Sequence, residues 1–225
     1  MTRYSAVLFD LDGTLLNTLP DLCDATNAMR MELGLSPLAS DIVASYLGDG
    51  VDCLIKRALN QQLGQTPDAG KIQTGRKVFY QRYHLVNGDK AQIYPGVLEG
   101  LREFSGNNYK MAVVTNKSTE FALPLLERSG LSRFFEHIIC GDTCANKKPH
   151  PEPLQHACKL LNTPPEATVL IGDSANDALA AKAANISVLL VPYGYSVNKN
   201  VHQMKVDAIV SDIQEAAKWV AQQKN

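Results

Sequence analysis

The chain has 225 residues, 45% of them hydrophobic, which is enough to build a sizeable core in one large or two modest domains. Its 22 Lys and Arg nearly balance its 23 Asp and Glu, so a net charge of -1 excludes a general attraction to nucleic acid or acidic membranes. No apolar run approaches the roughly 20 residues that span a bilayer, and the first apolar stretch is too short for a secretory leader.

In chain order, "AVLF" (6–9) is the first short apolar run, and it ends in "DLDGTL". Further strand-like runs follow: "MAVVTN" (111–116), "HIIC" (137–140), "TVLIGD" (168–173), "SVLLV" (187–191) and "AIVS" (208–211). Most are continuously apolar, as strands are when helices cover both faces of a parallel sheet. Helical patterns fall between them at 97–106, 118–129, 151–162 and 175–185. The first of these places Val97, Leu98, Leu101 and Phe104 on one face. The alternation predicts an α/β fold, a Rossmann-like parallel sheet core.

The stretch 17–91 breaks that rhythm. It holds helical patterns at 21–33, 40–47, 52–63 and 72–86, separated by the turn-forming segments "LGLSPLAS" and "GQTPDAGK". It is expected to be an all-helical insertion, 17–91, in a core made of 1–16 and 92–225. The five cysteines (Cys23, Cys53, Cys140, Cys144 and Cys158) form no C-x-x-C pair. Buried free thiols in a reducing, cytoplasmic setting are expected.

The polar residues of interest lie where strands end, and open parallel sheets bind ligands beyond the carboxyl ends of their strands. Asp10 and Asp12 follow the first run, Thr115 and Asn116 the second, and Asp173 the "TVLIGD" run. Each piece has an ordinary structural reading. Asp-Gly is a common turn, Ser174-x-x-Asp177 resembles a capping box, and Lys147 or Lys148 in "NKKPHPEPL" reads as a surface charge. Together they make a coherent chemistry. Two carboxylates two residues apart repel each other unless a cation sits there, and Mg2+ prefers carboxylate and phosphate oxygens. Asp10 and Asp173 would ligate the ion, and Asp10 would attack phosphorus to form an aspartyl-phosphate. Asp12 would protonate the leaving oxygen and then activate water, while Thr115 and Lys148 hold phosphoryl oxygens.

The sequence resembles the haloacid dehalogenase superfamily of phosphohydrolases over almost its whole length. "DLDGT", "VVTNKS", "KKPHPEP" and "GDSAND" match that superfamily's four motifs in order. The resemblance implies Asp10 as nucleophile and Asp12 as general acid/base, with Thr14 at the substrate and marking a phosphatase rather than a mutase. It implies a Mg2+ site of Asp10, Asp12 (through its carbonyl), Asp173 and Asp177. Thr115 and Asn116 would bind phosphate. Lys148 rather than Lys147 would steady Asp10, because the superfamily's lysine directly precedes the first proline. The helical insertion would be the cap domain.

"LPDLCDATNAMRMELGL" and "YLGDGVDCLIKRAL" are similar to the superfamily's phosphoglycolate phosphatase branch. That similarity implies substrate contacts from Gly48, Gly50 and Val51, with Lys56 or Arg57 as charge partner. Asn17-Thr18 departs from that branch's usual Asp-Ser. The expected activity is Mg2+-dependent hydrolysis of a small phosphorylated metabolite, 2-phosphoglycolate first, by a monomer or homodimer. The alternatives are a broad sugar-phosphate or nucleotide phosphatase, a pyrophosphatase, and a phosphoryl-accepting receiver module. Asp12 and the long insertion argue against the receiver.

Overall fold

The computed structural model describes residues 3–60, 69–195 and 204–223. Six strands form one sheet: β1 (Ala6–Phe9), β4 (Lys110–Val114), β5 (His137–Ile139), β6 (Thr168–Gly172), β7 (Ser187–Leu190) and β8 (Ala208–Ile209). Their order is β5-β4-β1-β6-β7-β8, and every neighbouring pair is parallel. The chain runs outward from β1 to one edge and then returns to build the other side. The strand order therefore reverses at β1, which opens a crevice at its carboxyl end.

All four side chains of β1 are buried, as expected for a central strand. Ala6 and Leu8 face a cluster with Leu154, Ala157 and Leu161 of α7 (Glu152–Leu161) and Ala180, Ala181 and Ala184 of α8 (Ala175–Ala184). Phe9 meets Phe104 of α5 (Val97–Gly106) edge-on, with ring centroids 5.7 Å apart. α5 packs tightly on α9 (Ile213–Gln222), where a side chain at Gly100 would strike the Ile213 carbonyl. Helix α6 (Thr119–Arg128) follows β4. Sequence periodicity anticipates the other core helices but not α9, although its start is capped by Asp212 accepting from Glu215 N at 2.8 Å. Nor does it anticipate the two-residue strands β2 (Leu16–Asn17) and β3 (Gln92–Ile93), which pair with each other. Two residues carry no period to read.

By its contacts the chain divides into two compact units, Met1–Asn17 with Ile93–Asn225, and Thr18–Gln92. The second is helical: α1 (Leu19–Glu32), α2 (Ser40–Ser45), α3 (Val51–Asn60) and α4 (Ala69–Val86). The last three residues of the helix expected at 52–63 lie outside the described residues, as does most of "GQTPDAGK". Phe79 and Tyr83 of α4 stand 5.4 Å apart in the core of this unit, with Met29 and Leu59 also buried. Arg30 is wholly buried without a carboxylate. Its Nε donates to the Ser36 carbonyl at 2.6 Å and another guanidinium nitrogen donates to the Ala58 carbonyl, so it ties the α1 exit to the end of α3. All five cysteines are free thiols; Cys140 and Cys158 are buried and the other three only half-buried. Among the described residues no helix is long and apolar enough to cross a membrane.

Candidate active site

Three adjacent strands, β4, β1 and β6, end in Thr115, Asp10 and Asp173. β4 ends at Val114 and β6 at Gly172, so Thr115, Asn116 and Asp173 follow directly at the carboxyl ends of their strands. Asp10 Oδ1 accepts from the Leu11 amide at 2.8 Å and lies 3.0 Å from Lys148 Nζ. The Lys148 ammonium also reaches Asp177 Oδ1 at 2.7 Å and the Val114 carbonyl at 2.6 Å, so all three of its hydrogens are directed.

Carboxylate oxygens of Asp10, Asp173 and Asp177 lie within 4.8 Å of one another. Burial pushes the Asp10 carboxyl from 3.8 up to about 7, against the lowering pull of Lys148. Burial, with the charges of Asp177 and Asp10, likewise holds Asp173 well above the usual carboxylate range. Burial works to lower the Lys148 ammonium, but Asp10 and Asp177 outweigh it and raise it. Three acids sharing one ammonium form a site that favours a further cation.

Asp173 rests in a cradle without side chains. A Cβ at Gly13 would stand 2.6 Å from its Oδ2, and one at Gly194 would stand 2.2 Å from the same oxygen. Gly13 also has φ +87°, which the turn after Asp12 requires. The Tyr195 amide donates to Asp173 Oδ2 at 2.8 Å. Tyr193 closes the same corner. Its hydroxyl donates to the Thr14 carbonyl at 2.8 Å and its ring lies 4.3 Å from that of Tyr94.

Several residues expected at the site also serve the scaffold. The Asn116 amide is occupied by the Lys148 backbone, donating to its carbonyl at 2.8 Å and accepting from its N–H at 2.9 Å. Asn116 therefore fixes the loop that carries the lysine. Thr14 is wholly buried and its Oγ1 has no hydrogen-bond partner among the described residues; three amides donating to the Leu11 carbonyl close the turn that tucks it inward. Asp177 closes a capping box with Ser174. Its Oδ2 accepts from Ser174 Oγ at 2.6 Å, Ser174 N at 3.1 Å and Asp173 N at 3.3 Å. Asp177 thus caps α8 and faces Lys148 at the same time. Gly48 and Gly50 have positive φ and precede α3, which begins at Val51. Arg57 is engaged within this helical unit, donating to Asp49 Oδ2 at 2.5 Å and the Tyr46 carbonyl at 2.8 Å.

Sequence reasoning passes over one residue at the crevice. Lys117 Nζ stands 3.0 and 3.2 Å from the two Asp12 carboxylate oxygens. A lysine just past a strand reads as a surface charge, and its partner lies 105 residues away in the chain. The one sequence signal is its place inside "VVTNKS".

Residues 7–191 match the family model for haloacid dehalogenase-like hydrolases, and the chain belongs to that family. It is 41% identical over 215 residues to a phosphoglycolate phosphatase of Nitrosospira multiformis, covering 96% of this chain and 95% of that one. Its fold matches the crystal structure of a predicted phosphoglycolate phosphatase from Haemophilus somnus 129PT with a TM-score of 0.93, at 32% identity over 97% and 99% of the two chains. It also matches CbbY from Rhodobacter sphaeroides in complex with phosphate, with a TM-score of 0.79 and 26% identity over 96% of each chain. The chain is a phosphatase of this superfamily, which sets aside the receiver-module alternative.

Proposed function

We propose that this phosphatase hydrolyses small phosphomonoesters, 2-phosphoglycolate foremost, through an aspartyl-phosphate on Asp10. The observation that carries the reading is the meeting of Asp10, Thr115, Lys148 and Asp173 at the ends of three adjacent strands, with Asp12 one turn beyond. Leu11 N–H and Lys148 both engage Asp10 Oδ1, which supports Oδ2 as the attacking oxygen. Thr115 Oγ1 accepts from the Lys117 amide at 3.2 Å, and the hydroxyl hydrogen serves a phosphoryl oxygen. Asp12 gives its proton to the departing ester oxygen and then takes one from the water that cleaves the acyl phosphate.

The crowded, buried carboxylates fit a hard divalent cation. Asp10, Asp173 and the Asp12 carbonyl would hold Mg2+, which when bound offsets the phosphate's charge. Asp177, its oxygens occupied by Lys148 and the start of α8, orients Asp173 from behind. The helical unit serves as the cap that excludes water. Gly48, Gly50 and Val51 supply the amide-rich start of α3 for the substrate's carboxylate, and Arg57 holds that loop through Asp49. The free thiols fit a reducing compartment, the cytoplasm.

A substrate panel tests this reading. kcat/KM on 2-phosphoglycolate is expected to exceed that on nucleotides, sugar phosphates and pyrophosphate, and chelation is expected to abolish turnover. Asp10→Asn is expected to lose at least about three orders of magnitude while remaining folded. Higher kcat/KM on another class would overturn the substrate, and retained turnover would overturn the nucleophile.

A further inference from the structure

We propose that Lys117 is a positioning residue for proton transfer, holding the Asp12 carboxylate in the plane from which it serves the leaving oxygen. The proposal rests on the reading of Asp12 as the acid/base. Lys117 Nζ contacts both Asp12 oxygens at 3.0 and 3.2 Å. The two side chains are unequal in exposure: Lys117 is 2% exposed and Asp12 21%. The ammonium is thus the buried member of the pair and the carboxylate the more accessible one.

Burying an ammonium costs several kcal/mol, offset only where a carboxylate meets it in good geometry. Here that geometry is prepared before any substrate arrives. The Lys117 amide donates to Thr115 Oγ1 at 3.2 Å, and its carbonyl accepts from Gly141 N at 2.8 Å. Gly141 passes so close that a Cβ would stand 2.3 Å from the Asn116 carbonyl oxygen. Each acid of the Asp10/Asp12 pair thus faces a buried ammonium, Lys148 at Asp10, where Asp177 shares it, and Lys117 at Asp12.

In the first half-reaction the Asp10–phosphorus bond forms and the ester P–O bond breaks, and the Asp12 proton passes to the departing alkoxide. In the second, Asp12 takes a proton from water as its oxygen attacks phosphorus, which frees Asp10 and inorganic phosphate. Lys117 neither gives nor takes a proton in these two steps. Its contribution is orientation, and proton transfer needs heavy atoms within about 2.6–3.2 Å along a usable lone pair.

The leaving group supplies the test. kcat/KM reports events through ester cleavage, and a nitrophenolate departs without a proton whereas an alkoxide needs one. Lys117→Met is expected to lose about a hundredfold in kcat/KM on alkyl phosphomonoesters and less than about tenfold on 4-nitrophenyl phosphate, with Lys117→Arg restoring most of the difference. Equal losses on both esters in the folded variant would overturn the proposal. Should the Met variant not fold, Lys117→Gln, which retains a donor of similar length, carries the same comparison. Asp12→Asn is measured alongside. If it shows no leaving-group dependence, the acid/base reading itself fails. If it shows one and Lys117→Met does not, only the positioning role falls.

Discussion

Asp10 carries a proton at a pH where most carboxyls have lost theirs, because burial lifts it to about 7. The sign of the consequence follows from linkage. Between its ordinary value of 3.8 and about 7 the folded chain holds this proton and the unfolded chain does not. The stability it contributes to the metal-free protein is therefore present at low pH and is lost as pH rises through about 7. The Mg2+ proposed for this site would have to displace the same proton, so its binding would run the other way. Below about pH 7 the affinity is expected to fall at least about tenfold per pH unit. Isothermal titration of Mg2+ at pH 6 and pH 8 measures this, and an affinity independent of pH would contradict it. Asp173, also raised by burial and the neighbouring acids, makes the dependence steeper.

At the scale of elements, Asp21 shows how the helical unit keeps its two ends together. It lies in the first turn of α1, almost wholly buried, and accepts from Gly88 N at 3.0 Å and Lys90 N at 2.9 Å. Asp21→Ala removes both bonds and leaves two backbone donors to find water. It is expected to cost about 1–3 kcal/mol, read from denaturant unfolding. The sequence at this scale is legible wherever an apolar period runs for several turns, as in α5 and α7, and at every strand end that carries a motif. It is silent where the determinant is a distant partner. The Asn116 amide pairing with the Lys148 backbone and the Lys117–Asp12 contact both depend on segments that the fold brings together. Asp21 looks like any acidic helix start until residues 88–90 return to it. Helix α9 is a different case: Asp212 and Glu215 mark its start in the sequence itself.

At the scale of the whole molecule, reversal of strand order at β1 gathers the site into one of the two compact units, Met1–Asn17 with Ile93–Asn225. An ion held there stabilises the states that keep it. Hydrogen exchange with and without Mg2+ is expected to show added protection at the carboxyl ends of β1, β4 and β6, while amides of α1 and α4 exchange at unchanged rates. Equal slowing of both units would mean that the ion's effect is not confined to the core. Asp177 has a consequence of another kind. One carboxylate starts helix α8, steadies the amide of Asp173 and faces Lys148. A change at this position would loosen the start of α8 and the contact with Lys148 together. Selection for mere persistence of the fold would keep Asp177 in place long after any need for turnover had lapsed.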